Sequence, residues 1–460
     1  MSVRVSEGGY GHAVIVHGQS AQGNVLHRAL TFRDLVIYGM VFMLPTAPFS
    51  LFGIVHRASN GHVPLAYLLG AIVMAFTARS YGLLSKRIPL AGSVYTYTRL
   101  GIGETAGFIA GWLILLDYII APGLMYVISA ASLHDLVPAI GRWQWVVIFT
   151  VIGTGMNVVG IKIAARANAF MLLGMLVILS IFLVCGMVAL WSGHGNGSLT
   201  AGSIYSSEHF TWHAIGTAIL ISSTNFLGFD AITTLGEEVL PNRRHLLGLA
   251  GLTTLAIILV LFFVQTWVAS DLMPGVHISN DDTAFYDIAE AAGGRWLRAA
   301  TSLTTALSFG IACAIVCQSA IARILFAMAR DGQLPHVLAR LHPRTHQPYV
   351  ASLLVGAVSL LVALLFQNRI EDLALFQNFG ALSAFCFVNA AVIGYFWVKL
   401  KERAIWSHLV IPAVGLVITV ILLSAMRTAT LTLGASWLAI GVGYLIVMRL
   451  VLHRSVSLET

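Results

Sequence analysis

Charge is what this sequence has least of. Only 10% of its 460 residues are Asp, Glu, Lys or Arg, where a soluble globular domain carries roughly a quarter. That shortage excludes an ordinary water-soluble domain, and the 58% of residues that are apolar place the chain in a bilayer. Cysteine is scarce too. Cys185, Cys313, Cys317 and Cys386 all lie inside apolar segments, which argues against disulfides. Cys313 and Cys317 stand one helical turn apart with no further Cys or His beside them, and the sixteen histidines form no HExxH or similar cluster. No metal site is expected, and no cofactor. No nucleophile–base pair stands out either, so an enzyme is not expected. The first thirty residues lack an apolar core region, so no cleavable signal is expected. Residues 1–27 read as a short cytoplasmic tail.

What the chain does have is long apolar runs. A spanning helix needs about 20 such residues, and twelve segments qualify: near 31–56, 63–84, 104–133, 143–161, 167–191, 212–236, 245–270, 295–329, 349–366, 373–398, 407–426 and 430–452. Twelve spans put both termini on one side. Assigning the termini and the loops after the even-numbered helices to that side gathers 20 of the 26 Lys and Arg there, against 6 opposite: Arg57, Arg142, Arg295, Arg298, Arg369 and Arg427. The positive-inside rule then makes both termini cytoplasmic. The net charge of +7 becomes a mark of topology, and nucleic acid is not an expected partner. The acidic connection 271–294, with Asp271, Asp281, Asp282, Asp287 and Glu290, reads as a solvated outer loop.

Two of the spans are interrupted. The first holds Met43-Leu-Pro-Thr-Ala-Pro-Phe-Ser50, with Pro45 and Pro48 in mid-span; proline removes a backbone donor and clashes with the preceding turn. The sixth holds Thr224-Asn-Phe-Leu-Gly-Phe-Asp-Ala231, where Gly228 lets the backbone leave the helix and Asp230 puts a costly acid at bilayer depth. Interrupted spans at corresponding positions of two five-helix halves point to the substrate site of a secondary transporter built from inverted repeats. The halves are residues 28–210 and 211–400, followed by two C-terminal helices over 401–460.

Several motifs then resemble the amino acid–polyamine–organocation transporters over roughly residues 28–450. They are Pro89-Leu-Ala-Gly-Ser-Val-Tyr-Thr-Tyr97 with Gly107-Phe-Ile-Ala-Gly-Trp112, Phe226-Leu-Gly-Phe-Asp-Ala231 with Glu237-Glu238, and Ala329-Arg-Asp-Gly-Gln-Leu-Pro335. Gly61-His-Val-Pro64, Leu115-Leu-Asp-Tyr118 and Asn378-Phe-Gly-Ala-Leu382 are similar to the bacterial putrescine importers. The resemblance implies an all-α membrane fold of five-plus-five inverted repeats (LeuT-like), alternating access, a bacterial inner membrane and small amines or amino acids as cargo. Two departures stand out. Where those importers usually carry an aspartate in helix 1 this chain has Ser50, which removes one partner for a dication. Where amino acid carriers offer free N–H groups to a carboxylate, Pro45 and Pro48 offer none, which favours cargo lacking a carboxylate.

Asp230 has two compatible roles: N-cap of the second half of helix 6, and a cavity carboxylate for an ammonium or a proton. Asp117, in mid helix 3, is either bonded to a neighbouring helix or a counter-charge for a cation. Tyr118 beside it could stack on or bond an ammonium, although neighbours point about 100° apart, so only one of the two is expected to face the cavity squarely. Thr46, Ala47 and Ser50, with Asn225, Phe226 and Phe229, are further lining candidates by position. Glu237 is a candidate for gating or proton coupling beside Asp230; both Glu237 and Glu238 could instead pair with Arg243 or Arg244. The expected function is import of a putrescine-like amine or related cationic amino compound, driven by protons or sodium. The alternatives are an amino acid permease of the same superfamily and a membrane sensor that kept the fold and lost transport.

Overall fold

A computed structural model describes residues 31–88, 93–159, 162–237, 239–240, 245–330, 334–343, 345 and 347–450. Among them every regular element is helical. The first eight α-helices are α1 (Phe32–Met43), α2 (Pro48–Ala58), α3 (Val63–Arg87), α4 (Ser93–Gly101), α5 (Glu104–Leu136), α6 (Arg142–Val159), α7 (Lys162–Trp191) and α8 (Trp212–Ser223). The rest are α9 (His245–Leu272), α10 (Ala284–Gly293), α11 (Arg295–Leu307), α12 (Ala314–Arg330), α13 (Tyr349–Leu365), α14 (Ile370–Val392), α15 (Ile411–Ser424) and α16 (Thr428–Leu450). Among the described residues nine helices are long and apolar enough to cross a membrane, or ten if α1 and α2 count as one bent span. Apolar side chains such as Phe170, Val184 and Leu361 point outward and exposed, as lipid requires and water would penalise.

The break in the first span lies where the prolines place it. Thr31 starts α1 with a capping box, accepting from the Asp34 N–H while Asp34 accepts from its own. Leu44 then turns to φ +51° and ends the helix, and α2 restarts at Pro48, bent 56° from α1. Proline at a first helical position loses no bond, because that N–H has no partner in the helix. In the second break α8 ends at Ser223, a 3-10 turn covers Thr224–Phe226, Leu227 is extended, and Gly228 takes φ +118° before a second 3-10 stretch, Asp230–Glu237. A β-carbon on Gly228 would collide with the Phe42 ring at the end of α1. The two breaks therefore touch.

Side-chain amides hold the breaks open. Gln265 of α9 donates to the Pro45 carbonyl at 3.0 Å, and Asn378 of α14 donates to Leu220 O at 2.5 Å and Thr224 Oγ1 at 2.6 Å. These donors take up carbonyls and a hydroxyl at the ends of helices whose ladder has stopped, which buried backbone requires. Elsewhere α3 and α9 cross so closely that a β-carbon on Gly82 would lie 3.0 Å from the Gly248 Cα, and one on Gly248 only 2.5 Å from the Gly82 Cα. Small residues at a membrane helix crossing permit such backbone approach.

At the end of the bundle where α2 and α5 finish, the acidic connection departs from the expected solvated loop. Its residues 284–293 form α10, largely buried, and its acids are taken up by partners. Arg57 pairs with Asp281 and, at 2.6 Å, with Glu371; Arg142 meets Asp282 at 2.9 Å. Arg298 binds Asp135 at 2.6 Å, Asp287 at 2.5 Å and Glu290 at 3.0 Å. Asp271 belongs to α9 and accepts from Asn196, Thr200 and Ser203. The correction has a plain cause: the few arginines of this end converge on the loop from distant segments, a pairing that loop composition cannot reveal.

Exposure separates these pairs energetically. The Arg298 side chain is 21% exposed and Arg57 is 58% exposed. Removing one partner of a largely buried ion cluster costs about 3 kcal/mol, whereas an exposed pair is worth about 0–1 kcal/mol. Arg298→Gln is expected to lower the apparent melting temperature in detergent by about 5 °C, with Arg57→Gln within about 2 °C of the parent. Equal shifts for the two variants would contradict this ranking.

Candidate functional site

A buried cavity of about 30 Å³ lies where the two breaks meet. Met43, Leu44 and Ala47 of the first break and Asn225, Leu227 and Gly228 of the second form two walls. α5, α14 and the π-helical turn Ser308–Cys313 between α11 and α12 supply the others. Such a volume holds about one or two waters, so the walls must part before cargo of several carbons can occupy it.

Four polar side chains meet on one side of the cavity. Tyr118 donates its hydroxyl to Asp230 Oδ2 at 2.9 Å, and Gln377 of α14 donates Nε2 to Asp117 Oδ1 at 2.8 Å. All four line the cavity and are at most 7% exposed. Asp230 stands at the start of the Asp230–Glu237 stretch, and its carboxylate lies against the backbone N–H groups of Gly228, Asp230 and Ala231. It opens that stretch and lines the cavity. Asp117 touches the neighbouring helix and lines the cavity as well. Asp117 and Tyr118 both line the cavity, where only one of the two was expected to face it squarely; side chains about 100° apart can still flank one space.

Of the other sequence candidates, Ala47 and Asn225 line the cavity. Asn225 donates Nδ2 to the Tyr67 hydroxyl of α3 at 2.8 Å. Thr46, Ser50, Phe226 and Phe229 do not line it. Ser50 Oγ donates to the Ala47 carbonyl at 2.8 Å, and the Thr46 hydroxyl is buried without a partner. Phe226 packs against Tyr67 and Phe262, and Phe229 against Tyr81 and Phe385. The Glu237 side chain, and Glu238 with Arg243 and Arg244, lie outside the described residues.

Three lining residues carry chemistry that the sequence did not single out. Gln377 precedes the Asn378-Phe-Gly-Ala-Leu382 motif by one position, and an adjacent pair of amides in an apolar helix was the available signal. Cys313 and Cys317, with sulfurs 3.8 Å apart, line the wall opposite, and Cys313 Sγ donates to the Phe42 carbonyl at 3.6 Å. That contact gives one of the carbonyls freed by the first break a weak donor.

The lining contains two carboxylates and no Lys, Arg or His. Backbone donors are mostly spent as well. In the first break the N–H groups of Leu44, Ala47, Phe49 and Ser50 bond to nearby carbonyls and Pro45 and Pro48 have none, leaving that of Thr46. In the second, the N–H groups of Leu227 and Ala231 bond to nearby carbonyls, and those of Gly228 and Asp230 lie near the Asp230 carboxylate. The carbonyl ends of α1 and α8, the negative poles of those helices, both adjoin the cavity. The arrangement accepts hydrogen bonds and suits a cation.

Comparison with known proteins agrees with a transporter. The amino acid permease family model matches residues 43–446. The chain is 32% identical over 434 residues to the low-affinity putrescine importer PlaP of Escherichia coli (strain K12), covering 91% of this chain and 93% of that one. It is 26% identical over 394 residues to the branched-chain amino acid permease BcaP of Bacillus subtilis (strain 168), covering 80% and 81%. It is 27% identical over 416 residues to the cationic amino acid transporter 4 of Mus musculus, covering 82% of this chain and 61% of that one.

Proposed function

Since this multi-pass membrane chain belongs to the amino acid permease family, we propose that it imports a small, putrescine-like amine or related cationic amino compound by alternating access. In this proposal α1 with α2 forms one broken span, and α8 with the Asp230–Glu237 stretch forms the other. With α6 and α13, helices of 18 and 17 residues, the count reaches twelve, arranged as two five-helix repeats and two further helices. The chain ends face the cytoplasm of a bacterial inner membrane, and the Arg57–Glu371 end faces outward. A proton or sodium gradient drives uptake.

One observation carries the choice of cargo: the cavity presents carboxylates and carbonyl ends but almost no free donor. An ammonium group finds acceptors there. The carboxylate of an amino acid would lie beside Asp117 and Asp230, a juxtaposition that low dielectric makes costly. The similarity to a protein named as a putrescine importer supports the same side.

Competition in proteoliposomes tests this, with labelled putrescine under an imposed proton or sodium gradient. Putrescine or a monoamine is expected to inhibit at least about tenfold more strongly than leucine, arginine or glutamate, the equivalent of ~1.4 kcal/mol in affinity. Strong inhibition by an amino acid and none by amines would overturn the proposal and direct attention to Thr46, whose hydroxyl and N–H are unengaged. Binding of amines without any flux would favour a sensor.

A further inference from the structure

We infer that the cavity is built for one ammonium group on a short hydrocarbon body, so that a primary monoamine binds in preference to a diamine of the same length. This rests on the amine proposal above and narrows it. The starting observation is an unsatisfied atom. Gln377 is 3% exposed and lines the cavity; its Nε2 is committed to Asp117, and its Oε1 is buried with no hydrogen-bond partner. A buried carbonyl oxygen without a partner is uncommon and calls for an absent donor. Among the described residues Asp117 accepts no other hydrogen bond than that of Gln377. Gln377 Oε1 and the second Asp117 oxygen therefore form an acceptor pair for a single N–H-rich head group. Three ammonium protons match two such oxygens, with one left for a helix-end carbonyl.

The second carboxylate is already served. Asp230 receives the Tyr118 hydroxyl at 2.9 Å and has the backbone N–H groups of Gly228, Asp230 and Ala231 near it, so it has several partners where Asp117 has one. Along α5 the lining beyond the polar cluster turns to hydrocarbon. On α5, Ala121, Leu124, Met125 and Ile128 follow Asp117 at helical spacing over roughly 16 Å of axis, and all line the cavity. Leu51 and Phe309 belong to the facing walls. A second ammonium directed along this stripe would meet no carboxylate and no acceptor side chain on α5, and a desolvated charge without partners is costly. A methyl terminus there would gain from the burial.

Binding in detergent, by calorimetry or thermal shift, separates the cases without the membrane leak of neutral amines. The probes are n-butylamine, 1,4-diaminobutane, leucine and arginine on the full chain. Butylamine is expected to bind at least tenfold more tightly than 1,4-diaminobutane, and Gln377→Leu to weaken butylamine at least fivefold. A diamine that binds as tightly as butylamine or better overturns this inference and leaves the amine proposal standing. Binding of leucine or arginine with neither amine bound overturns both. Unchanged butylamine affinity in a folded Gln377→Leu removes Gln377 from the subsite; should that variant not fold, the selectivity of the parent protein still decides.

Discussion

Asp117→Asn is expected to raise the dissociation constant for an amine by about 100-fold while leaving the protein folded. The substitution is isosteric, and the asparagine oxygen can still accept from Gln377 Nε2, now 2.8 Å from Asp117 Oδ1. What disappears is the charge opposite the cargo. Removing one member of a buried, hydrogen-bonded charge pair costs 2–5 kcal/mol, and about 3 kcal/mol corresponds to a factor of roughly 150. Stability should hold or improve, because a carboxylate 5% exposed is desolvated in the empty protein. Amine affinity and melting temperature, measured on the same preparation, check both halves. An affinity within threefold of the parent would mean that Asp117 is only a helix–helix tie to α14.

Asp230→Asn is expected to slow turnover at least tenfold with a stability loss of no more than about 1 kcal/mol. Asparagine caps a helix nearly as well as aspartate, so the Asp230–Glu237 stretch keeps an oxygen over its first N–H groups. The charge-assisted bond from Tyr118 is lost, and such bonds are roughly twice as strong as neutral ones. That bond ties the second break to α5, so under the proposed alternating access it would be remade in each cycle. Tyr118→Phe should produce a similar slowing, and the double variant should be little worse than either single one, the signature of a shared interaction. A variant that melts early yet transports normally per folded molecule would reduce Asp230 to a cap.

The two breaks were legible because their causes are local. Pro45 and Pro48 remove donors wherever they occur in a helix, and Gly228 is needed at φ +118° with Phe42 beside it. Asp117, Tyr118 and Asp230 were legible as types, since acids are few at that depth. What joins them was not. Gln377 is 260 positions from Asp117, and nothing in either segment announces the other. Phe226 and Phe229 were candidates because they flank the glycine, yet each belongs to an aromatic cluster with α3 and a second helix. Position beside a break does not say which way a ring points. The acidic connection failed similarly: its composition suits solvent, and only the arrival of Arg57, Arg142 and Arg298 from elsewhere draws it into the protein.

The crossing of α3 and α9 has a consequence for descent. With Gly82 and Gly248 backbone to backbone, a methyl group at 248 has no room unless a helix shifts, and one at 82 needs α9 to give by a small fraction of an ångström. The same two helices carry Tyr67 and Gln265, which hold Asn225 and the Pro45 carbonyl at the breaks, so a tilt of either helix about this crossing would reach the cavity. Homologues that keep this cavity are therefore expected to keep a glycine at 248 more strictly than at 82.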